Sequence, residues 1–324
     1  MSFSLEKNPK KASFLGKIVL LLVTVIWGSS FVVLKDTLET LGEGHFTFFI
    51  LAARFLAGAA CLALLAGKRW KRFRRSTILN GVLTGGILFG AYAVQTLGLK
   101  YTTASKNAFL TAAYCVMVPF LSWLISRQKP KASNIVAAVI CLTGIAFIAF
   151  GGQSGHGSNE FLGDALSLAC GLFYALQIVF NDKFVKEDDP ICLTVVVLAT
   201  AGLLHAAVSG IFEFPRYHAS FSVPAEAAWK IAYLAVFATA FCQYGQLFGQ
   251  KYVSANSASL ILSLEAVFGT FFGIVFGNDK LTVAILAGFV FVFLSEMLSE
   301  FGFPFSGKRI GKKGEKKEKD ENNS

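Results

Sequence analysis

Glu265 stands in the middle of a long apolar run, Ser254 to Gly277, where a carboxyl is costly unless it is protonated, paired or wetted by a cavity. Such a group can carry a coupling proton, hold a substrate ammonium, or join two helices as a neutral acid, and these readings stay open. Arg54 poses the converse question about eight residues into its own run, deeper than a snorkelling side chain prefers. It can hold an anionic group or pair with an acidic side chain. Mid-run polar and aromatic residues correspond in three pairs: Tyr92 with Gln243 and Tyr114 with Glu265, both 151 positions apart, and Trp27 with Tyr174, 147 apart. Ser30 lies one turn from Trp27 and Gln177 one turn from Tyr174, so each can face the same space as its neighbour. Trp27, Ser30, Tyr92, Tyr114, Tyr174, Gln177, Gln243 and Glu265 are the candidate substrate-binding residues, with Arg54 and Glu265 the intramembrane charges. Taken singly, the aromatic residues could equally be packing; their correspondence is what singles them out.

The same offset relates two copies of a polar signature, Gln95-x-x-Gly98-x-Lys100-Tyr101 and Gln246-x-x-Gly249-x-Lys251-Tyr252. The register continues without a gap, so that Ala104 meets Ala255, Val116 meets Val267, Phe120 meets Phe271 and Lys129 meets Lys280. The chain therefore reads as a duplication. Gly98 and Gly249 are expected where a helix stops and reverses, a place for positive φ, with the Lys-Tyr pair at the membrane interface. Gln95 and Gln246 are expected to bond between helices or brace a gate.

These residues must be held by membrane-spanning helices. The chain is 54% hydrophobic and only 15% charged, and its charges cluster between runs of about twenty apolar residues, the length that crosses a bilayer. The runs are Lys17–Leu38, Phe46–Gly67, Thr77–Leu99, Ala104–Ile125, Ala132–Gly151, Phe161–Asn181, Ile191–Phe212, Trp229–Gly249, Ser254–Gly277 and Leu281–Phe301. Backbone in hydrocarbon must satisfy itself, so the expected fold class is an all-α membrane protein of ten transmembrane helices. An odd number of helices per copy forces the second copy to enter from the opposite side. The expectation is two inverted five-helix repeats, 17–151 and 161–303, between a short N-terminal segment (1–16), a connecting loop (152–160) and a basic disordered tail (304–324). The first span follows Lys7, Lys10 and Lys11 but is long and leads into further spans, so it reads as a retained helix and not a signal peptide.

Lysine and arginine set the orientation. With the N-terminus inside, the inner side receives Lys68, Arg69, Lys71, Arg72, Arg74 and Arg75, then Arg127, Lys129, Lys131, Lys183, Lys186, Lys251 and the tail. The outer side receives chiefly Lys100, Lys106, Arg216, Lys230 and Lys280. This positive-inside bias places both termini in the cytoplasm of a cell (plasma or inner) membrane protein. The net charge of +10 then reports topology and contact with anionic headgroups, and no nucleic-acid partner is expected. The six cysteines all lie in apolar runs without C-x-x-C spacing, so they read as packing residues with no disulfide framework or metal site. Glu296 and Glu300, four apart, read as a solvated helix end. The scattered His45, His156, His205 and His218 form no motif, and no catalytic or cofactor signature occurs, so no enzyme and no cofactor are expected.

Several local patterns resemble the EamA type of the drug/metabolite transporter superfamily from Lys17 to Phe301. Trp27-Gly28-Ser29-Ser30-Phe31 looks like its opening Trp-Gly, and Arg54-Phe55-Leu56 like its second-helix arginine. Ala108-Phe109-Leu110-Thr111 running to Val118-Pro119 resembles the fourth helix of one branch. Lys251-Tyr252-Val253-Ser254-Ala255 and Leu264-Glu265-Ala266-Val267 look like the passage from the eighth helix to the ninth. The chain departs in having Ala266 where proline often follows the glutamate, and Gln128 and Asp279 where an acid commonly closes the fourth and ninth helices. The resemblance implies a gradient-driven carrier of a small amino acid-like or drug-like metabolite, frequently an exporter, with a small-molecule substrate, the lipid bilayer and possible proton coupling as partners. An importer, a nucleotide-sugar or sugar-phosphate carrier, and a non-transporting receptor or assembly protein are the alternatives.

Overall fold

The structure, a computed structural model, describes residues 8–41, 45–127, 129, 131–151, 159–217, 222–277 and 280–302. The tail from 303, residues 152–158 of the connecting loop, Gln128, Asp279, His156, His218 and the side chains of Glu296 and Glu300 lie outside the described residues. Every regular element among the described residues is helical. The elements are α1 (Pro9–Thr40), α2 (Thr47–Ala66), α3 (Arg75–Tyr101), α4 (Ala104–Thr111), α5 (Tyr114–Ser126), α6 (Ala132–Gly151) and α7 (Glu160–Phe184). They continue as α8 (Pro190–Val208), α9 (Phe214–Tyr217), α10 (Ala225–Tyr233), α11 (Cys242–Gln250), α12 (Ala255–Ser263), α13 (Glu265–Phe276) and α14 (Val283–Phe301).

Among the described residues eight rods are long and apolar enough to cross a bilayer: Pro9–Thr40, Thr47–Arg72, Arg75–Tyr101, Ala104–Ser126, Glu160–Phe184, Pro190–Tyr217, Ala225–Gln250 and Ala255–Phe276. Two shorter apolar helices, Ala132–Gly144 and Val283–Ser295, accompany them. The first rod starts eight residues before the apolar run because Asn8 caps it, accepting from Lys11 N at 3.2 Å, and Pro9 fits its first turn. Thr103 and Ser254 cap α4 and α12 in the same manner, at 3.1 and 3.4 Å, and are themselves separated by the repeat offset.

Several rods are not uniform. The rod Ala104–Ser126 tightens at Ala112 and Ala113, where Ala113 N bonds Leu110 O and Cys115 N bonds Ala112 O, each three residues back. Ala255–Phe276 does the same at Leu264, through Leu264 N to Ile261 O and Val267 N to Leu264 O. The apolar runs gave no sign of these breaks. The eighth apolar run widens into a π-helical segment, Leu234–Phe241, between α10 and α11. A π turn displaces carbonyls from the regular ladder and is a frequent companion of functional sites.

Helices exchange partners between the halves of the chain: α7 lies along α3 and against α4 and α5, while α1 lies along α11 and against α12 and α13. α2 pairs with α8, and α6 with α14. The expected reversal at Gly98 and Gly249 is not what the structure shows. Both lie inside helices, and the positive-φ glycines among the described residues are Gly67 and Gly302. Their role is close approach: a Cβ on Gly98 would stand 3.0 Å from Gly163 O, and one on Gly249 3.1 Å from Gly16 O. Small residues that let backbones meet are the usual helix cement in lipid, where apolar burial between helices drives nothing.

Charged residues gather at the two ends of the bundle. One end, here called the basic end, carries Arg69 and Arg72 on Asp189. The opposite end carries Lys106 bound to Glu160 and Asp164, and Lys230 bound to Asp36 and Glu226. There Glu213 also accepts from the first-turn backbone N–H groups of Phe48 and Phe49 at 2.7 and 2.8 Å, serving as a cap donated by another helix.

Candidate substrate site

At mid-depth α1, α2, α3, α5, α7, α11, α12 and α13 enclose a cavity with about 490 Å³ of empty space, of which only about 20 Å³ admits the centre of a water molecule. That is room for about one water. Its wall includes Trp27, Ser30, Arg54, Tyr92, Tyr114, Tyr174 and Glu265, seven of the nine residues expected from the sequence.

Two of the nine are elsewhere. Gln177 and Gln243 do not line the cavity; both are fully buried between α7 and α11. Gln177 Nε2 donates to Gln243 Oε1 and Gln246 Oε1, each at 3.3 Å, and Gln246 Nε2 returns a bond at 3.1 Å. The wall position instead belongs to Gln246 and, on the other side, Gln95, the amides of the duplicated signature. Their signal was present in the sequence: each sits three residues beyond a candidate, Tyr92 or Gln243, and thus one helical turn away. Phe31, Leu34, Leu99, Ile178 and Leu262 complete the wall and make it largely apolar.

Arg54 is 1% exposed and forms no ion pair among the described residues. The acidic partner that its depth suggested is replaced by a hydroxyl and two rings. Its Nε donates to Thr239 Oγ1 at 2.8 Å, and the guanidinium lies 5.0 Å from the ring centre of Tyr92 and 5.6 Å from that of Phe55. Its Nη2 has no hydrogen-bond partner. Stacking on a ring face offsets part of the cost of burying a cation, and a planar guanidinium suits it better than an ammonium would.

Glu265 opens α13, directly after the tightened turn at Leu264, and its repeat counterpart Tyr114 opens α5 after Ala113. The two breaks thus bring both residues into one cavity, where the Tyr114 hydroxyl is turned toward the Glu265 carboxyl. Tyr174 donates its hydroxyl to Gln95 Oε1 at 2.8 Å, and Gln95 passes the chain on to Thr111 Oγ1 at 3.2 Å. Tyr92 meets Tyr174 edge-on at 5.7 Å between ring centres, and Tyr114 lies 6.3 Å from Tyr174. Trp27 donates Nε1 to Ala238 O at 2.9 Å, in the π-helical segment. Ser30 spends its hydroxyl on Trp27 O at 2.8 Å.

His205 packs its ring against Phe55 and Phe89 with neither nitrogen bonded, and belongs to the packing beside Arg54, not to the wall. All six cysteines are free, and among the described residues no cluster of His, Cys, Asp or Glu could hold a metal ion.

A bundle of apolar rods around a cavity that holds a cation and a carboxyl defines a polytopic membrane protein. A model of the EamA-like transporter family matches residues 14–150 and again 161–300, and the chain belongs to that family, within the drug/metabolite transporter superfamily. This is a family of transporters, which is not an enzyme class. An uncharacterized transporter of Archaeoglobus fulgidus is 28% identical over 86% of this chain and 83% of its own length. The uncharacterized transporter YoaV of Bacillus subtilis is 22% identical over 87% of this chain and 95% of its own. Solute carrier family 35 member F2 of Mus musculus is 25% identical over 78% of this chain and 66% of its own. A solved crystal structure covers 90% of this chain and 98% of its own with a TM-score of 0.69 at 14% identity, which shows a shared fold.

Proposed function

We propose that the protein is a secondary active transporter that moves a small organic metabolite, amino acid-like or drug-like, out of the cell by alternating access. The observation that carries this reading is the mid-depth cavity lined by Arg54, Glu265 and five aromatic side chains, with Tyr114 and Glu265 each set at a helix break. Discontinuous helices at the midplane are where carriers of this plan place substrate and coupling ion. Arg54 would take an anionic or π-rich group, and the aromatic walls the apolar body. Glu265 would carry a coupling proton or meet a substrate ammonium.

In the same reading ten helices form two inverted repeats, 17–151 and 161–303, which rock about the cavity. The exchanged pairing of α7 with α3 and α1 with α11, each across two glycines, supports it. In this reading the basic end and both termini face the cytoplasm at the cell membrane, and the excess of cations at that end supports the orientation. Purified protein in sealed vesicles should accelerate exchange of labelled for unlabelled substrate across the bilayer, with candidates drawn from metabolites that accumulate in cells lacking the protein. Saturable binding without such counterflow would make it a receptor and defeat the transport reading.

A further inference from the structure

A second hollow, of about 350 Å³, opens at the basic end, walled by five cations and three carboxylates. Half of these charges are engaged. Asp188 accepts from Thr77 at 2.6 Å and Asn80 at 2.9 Å, Asp189 holds Arg72 at 2.8 Å, and Lys186 is held by Asp182 at 2.7 Å. Lys71, Arg74 and Lys251 remain, with no ion pair among the described residues, against Glu187 and against Asp188, whose partners are neutral; the cations exceed the carboxylates by one. Lys251 belongs to the duplicated signature, five residues beyond Gln246 of the cavity wall, and Lys186 lies eight beyond Ile178 of that wall. At 1.5 Å per residue the hollow lies roughly 8–12 Å along α7 and α11 from the cavity.

Between hollow and cavity the two helices meet through amides. Beyond the Gln177, Gln243 and Gln246 bonds, Gln250 Nε2 donates to Ile178 O at 2.9 Å. Both amide atoms of Asn181, Asp182 Oδ1 and Gln250 Oε1 are buried without a partner. Each unmet buried group costs on the order of 1–3 kcal/mol, whereas a well-packed apolar seam would carry no such cost. A seam built for permanent closure would be apolar; one that opens to a polar solute needs groups to solvate it. Its neutral amide bonds are also easily broken.

We propose that the α7–α11 seam is a gate, and that the basic hollow beneath it captures an organic anion, a carboxylate or phosphate ester, on its way to Arg54. This rests on the transport reading and narrows its substrate class. The excess positive charge raises the local concentration of anions, and the seam's amides replace part of their hydration before the buried guanidinium does.

The test uses two membrane-impermeant thiol reagents, one bearing a sulfonate and one a quaternary ammonium, on the full chain freed of its own cysteines. Asn181→Cys and Gln250→Cys report the seam, and Ser30→Cys reports the cavity, each first checked for an unchanged melting temperature in detergent. From the basic side the sulfonate reagent should modify at least one seam cysteine about tenfold faster than the ammonium reagent, after correction for their rates on a free thiol. Lys251→Gln combined with Arg74→Gln should bring that ratio close to one, as should high salt. Equal rates in the unmodified background would overturn the anion capture. Modification of Ser30→Cys from the basic side with both seam positions inert would overturn the gate while leaving the transport reading in place. Ser30→Cys inert from both sides would overturn both. Vesicles of phosphatidylcholine alone and with phosphatidylglycerol separate a soluble anion from a lipid headgroup. Should the preference exist only in the first, the hollow belongs to lipid and the capture proposal fails.

Discussion

Arg54 and Glu265 share one cavity wall and yet form no ion pair with each other. Burying a cation and a carboxyl without joining them is costly, and removing that cost is the simplest use of a substrate or a proton. Sequence position alone revealed both residues, because a charge within twenty apolar neighbours is conspicuous. What it could not reveal is direction. Gln177 and Gln243 have the right depth but stand outside the wall, whereas Gln246, one turn from Gln243, borders the cavity while its amide joins the same α7–α11 interface through Gln177. The wall was therefore legible to within a turn and not to within a residue. Glu265→Gln keeps the size and much of the hydrogen bonding of the acid and cannot release a proton. If Glu265 carries coupling, vesicles holding this variant should still show counterflow, while uptake driven by an imposed pH gradient falls to the undriven rate. A variant that concentrates substrate with the same dependence on pH as the parent would assign Glu265 to structure and place coupling elsewhere.

At the scale of elements, the ten apolar runs anticipated where helices lie, because hydrocarbon leaves the backbone no other way to satisfy itself. The breaks inside those runs were hidden. Neither Ala112–Ala113 nor Leu264 contains a glycine or proline, the residues by which a sequence announces an interruption. Tertiary contact accompanies them: a Cβ at Gly171 of α7 would lie 3.2 Å from Thr111 O and 3.4 Å from Tyr114 N, so backbone meets backbone at the turn where α4 becomes α5. The duplicated Gln-x-x-Gly signature is explained at the same scale. Its glycine serves approach and not reversal, which distinguishes it from glycines nearby. In α3 a Cβ at Gly98 would stand 2.8 Å from Ser167 Oγ and 3.0 Å from the backbone atoms Gly163 O and Ser167 N, while one at Gly86 would meet nothing within 4 Å. Gly98→Ala should therefore destabilise the protein by roughly 1–3 kcal/mol through overpacking. Gly86→Ala should leave it unchanged or stabilise it by up to about 1 kcal/mol through helix propensity. Thermal unfolding in detergent reads both. Equal effects of the two substitutions would remove close approach as the reason for the signature.

For the molecule as a whole, the two ends of the bundle are held by different chemistry. At the basic end α7 and α11 meet through neutral amides, and the arginines on Asp189 there are exposed; at the opposite end Lys106 is held by Glu160 and Asp164, with all three side chains less than a quarter exposed. Charged contacts of this kind hold one arrangement firmly, since parting them strands a poorly solvated cation. The duplication was legible in the sequence, but this asymmetry was not, because it depends on which residues of α4 and α7 meet across the bundle. Lys106 on α4 has Lys280 nowhere near its repeat position; that place is taken by Ser257, which only bonds the cap Ser254. The opposite end should consequently be the firmer of the two. Glu160→Gln with Asp164→Asn removes both carboxylates while keeping their size, and should cost the closed arrangement about 1–3 kcal/mol after allowance for partial exposure. Since each 1.4 kcal/mol is a tenfold change in a population ratio, a Ser30→Cys reporter in the cavity should then react roughly five- to a hundredfold faster with an impermeant reagent applied from that end. Its rate from the basic end should not rise. A reporter that reacts no faster from the opposite end, in a variant that still folds, would mean that this ion cluster braces α4 against α7 without closing anything.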